Sequence, residues 1–114
     1  MGAVPLVACL IQHSFPNRPI GGFFIRKQPK DHGTRRFIEG LHDDESLDGK
    51  TVVLLEDVTT TGGSVIKASN AVREEGALVS AVVTVVDRLQ GAAENLQKEG
   101  IALRSVLTVN DFSL

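Results

Sequence analysis

The sequence predicts an α/β domain built around a parallel β-sheet. Apolar runs of strand length alternate with segments whose apolar residues recur at helical spacing, and the runs cover about 51–55, 78–86 and 101–109. Charged pairs follow the first two runs, as Glu56-Asp57 and Asp87-Arg88. Ligands of such sheets bind at the carboxyl ends of the strands, so these charges indicate a binding crevice.

The first part of the chain predicts one helix and two short strands. Pro5 suits the first turn of a helix over about 4–13. A strand over 22–26 should place Arg26 and Lys27 on the same rim as the other charges, and 37–40 should form a short return strand. The polar segment 27–36 between them is expected to be a mobile loop. The apolar residues expected to bury the helix are Val4, Leu6, Val7, Leu10 and Ile11.

The second half predicts two helices between the strands. The first begins after the Thr/Gly segment at 60–64 and stops at Gly76, and the second covers about 92–99. Asn110-Asp111-Phe112 should begin a further helix. The inward residues of the first helix are Val65, Ile66, Ala68, Ala71 and Val72.

Length and composition predict one domain over 1–114 that is soluble and cytoplasmic. A length of 114 residues suits a single domain with a modest core. The net charge of −2 provides no basic field for nucleic acid, and no apolar run is long enough to cross a membrane. The single Cys9 cannot form an internal disulfide, so it is expected to be a reduced core residue.

Glu56 and Asp57 form an acidic pair at the end of the central apolar run. Adjacent carboxylates repel each other unless cations or hydroxyl donors are present. One of them could serve only as a helix cap or a surface charge. The functional interpretation is that they hold the vicinal hydroxyls of a ribose, with Mg²⁺ nearby, because this ion prefers carboxylate and phosphate oxygens.

The segment Thr60-Thr61-Gly62-Gly63-Ser64 follows the acidic pair and precedes a helix. Glycines let backbone N–H groups approach a phosphate, hydroxyls add donors, and the helix turns its positive end toward an anion. The segment lacks the Gly-Lys-Ser/Thr of a Walker A loop and the glycine spacing of a dinucleotide-binding fingerprint. A simple N-cap turn is the alternative.

A basic segment precedes the central strand, and Arg88 follows the next one. The segment is either a solvated surface loop or a cationic lid that neutralises a pyrophosphate leaving group. Arg88 is either a surface residue or part of a fork for a planar carboxylate or imide. The basic residues of the segment are Arg26, Lys27, Lys30, His32, Arg35 and Arg36.

Three motifs resemble those of one family. Val53–Ser64 resembles the phosphoribosyl pyrophosphate signature of type I phosphoribosyltransferases. Phe24–Gly33 is similar to the catalytic loop of orotate phosphoribosyltransferases, and Val86-Asp87-Arg88 to their orotate-contacting segment. The resemblance implies transfer of phosphoribosyl to orotate with Mg²⁺, giving orotidine 5′-phosphate and pyrophosphate, in a homodimer. The fold implied is a type I phosphoribosyltransferase core with flanking helices.

The resemblance also implies roles for individual residues. Thr60 and Arg88 would contact orotate, Glu56 and Asp57 would hold the ribose, and the catalytic residues would be Lys27, Lys30, His32 and Asp57. The pyrophosphate would contact Arg26, Lys27, Lys30 and His32. The substrate-binding segment would comprise Val58, Thr59, Thr60, Thr61, Gly62, Gly63 and Ser64, the last five as the cradle of the 5′-phosphate.

Members of this family are about twice as long as this chain. The start of the sequence aligns with the helix after the family's pyrophosphate loop, so the N-terminal hood and most of that loop are expected to be absent. Two alternatives therefore stay open. One is a purine phosphoribosyltransferase, which shares the signature, and the other is a non-catalytic module that binds phosphoribosyl pyrophosphate or a nucleotide.

Overall fold

The computed structural model describes residues 3–28, 37–42 and 44–112. Helices and strands alternate from the middle of the chain onward, as the apolar pattern predicts. The elements in chain order are α1 (Val4–Ser14), β1 (Phe24–Ile25), β2 (Ile38–Glu39), β3 (Thr51–Thr59), α2 (Gly63–Glu74), β4 (Leu78–Asp87), α3 (Ala92–Lys98), β5 (Ala102–Thr108) and a 3₁₀ turn (Val109–Asp111).

The main sheet has three parallel strands in the order β3-β4-β5. Helix α2 connects the first two strands, and α3 connects the second two, so the α/β prediction is confirmed. Asp87 pairs with Thr59 on one side and with Thr108 on the other. This register brings the carboxyl ends of all three strands to one rim of the sheet.

The core lies between this sheet and its connecting helices. Val52 and Leu54 alternate with the exposed Val53 along β3, so they share one face of the strand. Val72 of α2, Val82 of β4 and Leu96 of α3 are completely buried in the same cluster. Burying one such side chain stabilises a fold by roughly 1.5–3 kcal/mol, which explains why the sequence pattern of this half is so regular.

Helix α1 has the predicted extent but not the predicted burial. None of its eleven described residues is buried, Leu10 is 47% exposed and Cys9 is exposed, so the expectation of a core cysteine was wrong. Val7 and Ile11, one turn apart, form the inward face and pack over Gly22, where a Cβ atom would lie 2.5 Å from the Ile11 Cδ1 atom. Cys9 lies on the opposite side of the helix, and Leu10 lies on its flank.

Strands β1 and β2 do not join the parallel sheet. They pair with each other in antiparallel fashion, and the Arg26 N–H donates to the Phe37 carbonyl at 2.7 Å. The expectation that Arg26 and Lys27 end a strand of the main sheet was therefore wrong. The predicted strand over 22–26 is reduced to two residues, and its return strand has the same length.

Most of the remaining boundaries differ from expectation by one or two residues, but β3 extends four residues beyond its predicted end. Strand β3 runs through Glu56 and Asp57 to Thr59, so the acidic pair lies inside the strand. Gly76, with φ of +87°, follows the end of α2 as predicted, and a 3₁₀ turn replaces the expected helix at 110. Among the described residues, no helix has the length and apolarity needed to cross a membrane.

Candidate active site

The acidic pair lies on β3 in a half-buried position. Burial raises the pKa of the Glu56 carboxyl above its ordinary value of 4.5, and the negative charge of Asp57 raises it further. The positive charge of Lys27 acts in the opposite direction, so this lysine comes within electrostatic range of Glu56. The Asp57 Oδ1 atom accepts a hydrogen bond from the Val58 N–H at 2.8 Å, which leaves the second carboxylate oxygen for a ligand.

The turn after β3 depends on Gly62. This residue has φ of +89°, a left-handed conformation that glycine adopts without steric cost, and it is the N-cap of α2. Its carbonyl accepts from the Ile66 N–H at 2.9 Å, while the Gly63 N–H donates to the Thr61 hydroxyl at 3.4 Å. The twelve-residue helix α2 therefore starts directly at the turn, with its positive end toward this rim.

The end of β4 is fixed to the end of β3 by the backbone. The Arg88 N–H donates to the Thr59 carbonyl at 2.9 Å, and the buried Asp87 carboxylate accepts from the Leu89 N–H at 2.9 Å. Leu89 has φ of +58°, which is uncommon for a residue with a side chain. The Arg88 side chain is exposed, which both a ligand-binding fork and a surface residue require, so its assignment stays a prediction.

Two buried threonine hydroxyls near the rim differ in their hydrogen bonds, and the sequence does not predict this difference. Thr84 is completely buried, and its hydroxyl donates to the Val86 carbonyl at 3.2 Å and approaches the Asp57 carbonyl at 3.5 Å. Thr59 is 4% exposed, and its hydroxyl has no partner among the described residues. The Thr59 side chain therefore points into the protein, unlike the hydroxyls of the turn that follows it.

Asn95 and Ala92 of α3 also reach the turn, which the sequence analysis did not predict. The Asn95 Nδ2 atom donates to the Thr61 carbonyl at 2.8 Å. A Cβ atom on Gly62 would lie 3.4 Å from both the Cα and Cβ atoms of Ala92, which is itself buried. No motif announces these contacts, because they join elements thirty-odd residues apart.

The basic residues before β3 are only partly described. The Arg26 guanidinium forms an ion pair with Glu39 and donates from Nε to the Gln28 carbonyl at 3.1 Å. Lys27 is exposed. Lys30 and His32, together with most of the predicted mobile loop, lie outside the described residues.

The acidic pair meets only part of the requirement of a metal site. Among the described residues, no group of three or more His, Cys, Asp or Glu side chains could hold a metal ion. Mg²⁺ in enzymes is commonly held by one or two carboxylates together with substrate phosphates and water. Glu56 and the free oxygen of Asp57 fit that second arrangement.

Comparison with known proteins finds orotate phosphoribosyltransferases both by sequence and by structure. A family model described as "Phosphoribosyl transferase domain" matches residues 1–111. An orotate phosphoribosyltransferase of Rhodopseudomonas palustris (strain BisB18) is 50% identical over 113 residues, covering 98% of this chain and 60% of that protein. One from Methanocaldococcus jannaschii is 46% identical, covering 97% and 58%. The chain thus spans about three fifths of the length of these relatives.

The structural comparison agrees. Orotate phosphoribosyltransferase from Mycobacterium tuberculosis, in complex with Fe(III) dicitrate, superposes with a TM-score of 0.82 at 41% identity, covering 97% of this chain and 60% of that chain. The same enzyme in complex with phosphoribosyl pyrophosphate gives 0.78 at 38% identity, covering 96% and 58%. An adenine phosphoribosyltransferase from Thermoanaerobacter pseudethanolicus, at 18% identity and a TM-score of 0.52, shares the fold alone.

Proposed function

Because this chain belongs to the phosphoribosyl transferase domain family, we propose that it binds phosphoribosyl pyrophosphate and transfers its phosphoribosyl group to orotate. The products would be orotidine 5′-phosphate and pyrophosphate, in pyrimidine biosynthesis. One observation carries the proposal. A half-buried acidic pair precedes a glycine turn at the positive end of α2, and Arg88 is bound through its backbone to the same rim.

In this proposal, Glu56 and Asp57 bind the ribose hydroxyls. Displacement of pyrophosphate at the anomeric carbon passes through an oxocarbenium-like transition state, so carboxylates stabilise the positive charge that develops on the sugar. The half-buried position strengthens this attraction, since the local dielectric is lower than in water. Asp57, already oriented by the Val58 N–H, is the residue that we assign a catalytic role in this step.

The 5′-phosphate would occupy the turn after β3. Backbone N–H groups at the start of α2, together with the exposed Thr61 and Ser64, would donate to its oxygens. The binding segment then comprises Val58, Thr59, Thr60, Thr61, Gly62, Gly63 and Ser64. The Thr59 hydroxyl is inaccessible, so that residue would act through its position in the strand.

The departing pyrophosphate requires cations. Lys27 lies within electrostatic range of Glu56, which supports its role next to the ribose. We assign Lys30 and His32 to the same group on the basis of the family's loop. Arg26 would have to leave its ion pair with Glu39 to join them. Thr60 and Arg88 would bind orotate, with the Arg88 guanidinium facing its carboxylate or imide.

Mg²⁺ would be bound near Glu56 and Asp57 through the substrate's oxygens. When bound, it would neutralise negative charge on the pyrophosphate. The chain's own contribution is then to hold the ribose with two carboxylates and to keep one Asp57 oxygen free for the ion.

We further propose that the protein is a cytoplasmic homodimer in which Lys30 reaches the partner's site, as in the family. Sedimentation equilibrium would test the dimer.

A calorimetric titration tests the binding site directly. Phosphoribosyl pyrophosphate with Mg²⁺ should bind the wild-type chain. Glu56→Ala combined with Asp57→Ala should weaken it about a hundredfold or more, since two charged contacts of roughly 1.5–3 kcal/mol each are lost. Exposed Glu94→Ala is the matched control, because it removes a carboxylate of α3 and should change nothing. Equal binding by wild type and the double variant would overturn the proposed site.

A turnover assay separates the remaining alternatives. Formation of orotidine 5′-phosphate from orotate supports the proposal, whereas turnover of adenine would indicate a purine phosphoribosyltransferase. Binding of phosphoribosyl pyrophosphate without turnover of any base would indicate a non-catalytic module. The orotate enzymes are the relatives of 46–50% identity, whereas the adenine enzymes resemble the chain only in fold.

A further inference from the structure

Helix α3 is in direct contact with the turn proposed to bind the 5′-phosphate. The Asn95 side-chain amide donates to the Thr61 carbonyl at 2.8 Å. One helical turn earlier, Ala92 packs against Gly62 so closely that a Cβ atom there would meet both the backbone and the side chain of Ala92 at 3.4 Å. The two contacts fix successive residues of the turn.

The hydrogen bond from Asn95 determines which way the Thr61–Gly62 peptide faces. This peptide is trans, so its carbonyl and its N–H point in opposite directions. With the Thr61 carbonyl bound to α3, the Gly62 N–H points away from α3. Rotation of this plane would turn a carbonyl toward the bound anion, where it would repel a phosphate oxygen.

We propose that Asn95 is a positioning residue for the phosphate turn, and this inference rests on the proposed function. Asn95 does not touch the ligand. It holds the Thr61 carbonyl on the α3 side and so sets the direction of the Gly62 N–H, away from α3, in the proposed phosphate turn. Without this hydrogen bond, the Thr61–Gly62 peptide plane could adopt two orientations, and only one of them would bind phosphate.

The stability of α3 depends on other contacts. Leu96 is completely buried, and its carbonyl accepts from the Ile101 N–H at 3.0 Å. Asn95 is only partly buried, and its backbone N–H bonds within the helix to the Gly91 carbonyl at 3.0 Å. Loss of the side-chain bond should therefore change ligand affinity more than it changes folding.

The test compares Asn95→Leu, which keeps the approximate size but removes the donor, with Gln97→Leu, an exposed substitution on the same helix. Calorimetry with phosphoribosyl pyrophosphate and with ribose 5-phosphate should show binding about three- to tenfold weaker for Asn95→Leu, the range expected for one hydrogen bond. Gln97→Leu should match wild type, and all three proteins should have similar melting temperatures.

Asn95→Asp provides a second variant, because it keeps the shape and replaces the donor by an oxygen that repels the Thr61 carbonyl. Exposed Ala93→Asp adds the same charge on α3 without touching the turn, so the difference between the two measures the lost donor. Wild-type affinity in either folded Asn95 variant would overturn the inference while leaving the proposed function intact. Failure of the wild-type chain to bind phosphoribosyl pyrophosphate would overturn both.

Discussion

The segments before and after residue 50 differ sharply in how many apolar side chains they bury and how extensively their strands pair. After it, three paired strands and two helices supply most of the buried apolar residues. Before it, α1 has no buried residue within its described extent, β1 and β2 are two residues each, and Phe15 and Ile20 are 71% and 52% exposed. Local stability follows the density of buried contacts, so the second region should open less readily than the first.

This difference divides the proposed site in two. The ribose and phosphate groups would be bound by β3 and the start of α2, within the well-packed region. Of the cations proposed to bind pyrophosphate, Arg26 and Lys27 follow β1 in the first region. The proposed sugar-phosphate contacts and these two cations therefore belong to differently packed regions.

The largest expected effect on stability comes from comparing a leucine-to-alanine substitution in each region. Leu96→Ala should lower the free energy of unfolding by roughly 2–5 kcal/mol, because it leaves a cavity where the side chain is completely buried. Leu10→Ala, at 47% exposure, should cost no more than about 0.5 kcal/mol. Urea denaturation measures both, and comparable losses would erase the distinction between the two regions.

Smaller changes in stability are expected from two threonines of the second region, and the two changes should differ in sign. Thr84→Val removes a hydroxyl that donates to the Val86 carbonyl and should cost about 1 kcal/mol. Thr59→Val removes a buried hydroxyl without a partner in the described structure, so it should be neutral or stabilising by up to about 1 kcal/mol. A loss of stability in Thr59→Val would show that this hydroxyl has a partner after all.

The smallest expected change in stability comes from Glu56 and depends on pH. The folded state raises the pKa of Glu56 above 4.5, so it holds this proton more tightly than the unfolded chain does, and stability falls as pH rises through that range. Glu56→Gln should therefore raise the melting temperature at about pH 7 and give no gain at about pH 3.5, where wild type is protonated in both states. Exposed Glu94→Gln is the control, and an equal gain at both pH values would contradict the prediction.

The sequence predicted the well-packed region closely. Regular apolar runs such as 78–86 mark β4 to within one residue, because a buried strand requires apolar residues throughout. Gly76 and the Thr/Gly turn were also found where expected, since left-handed backbone is largely confined to glycine. The acidic pair was predicted to follow an apolar run, and it does so, although β3 continues through it to Thr59.

What the sequence missed depends on tertiary contact. Cys9 is apolar enough for a core, but only the docking of Val7 and Ile11 over Gly22 decides which side of α1 faces inward. Thr59 and Thr84 have the same side chain, and only the neighbouring strand determines which hydroxyl is bonded. Asn95 contacts a residue thirty-four positions earlier, and no local pattern records such a partner.

The bond from the Arg88 N–H to the Thr59 carbonyl uses main-chain atoms alone. Substitution of the exposed Arg88 side chain therefore leaves it intact, and only proline at 88, or an insertion or deletion, would remove it. In the proposed function, Arg88 contacts the acceptor base, and an evolving lineage could exchange that side chain while keeping its backbone position next to Thr59. A change of base preference would then leave the proposed sugar-phosphate site in place.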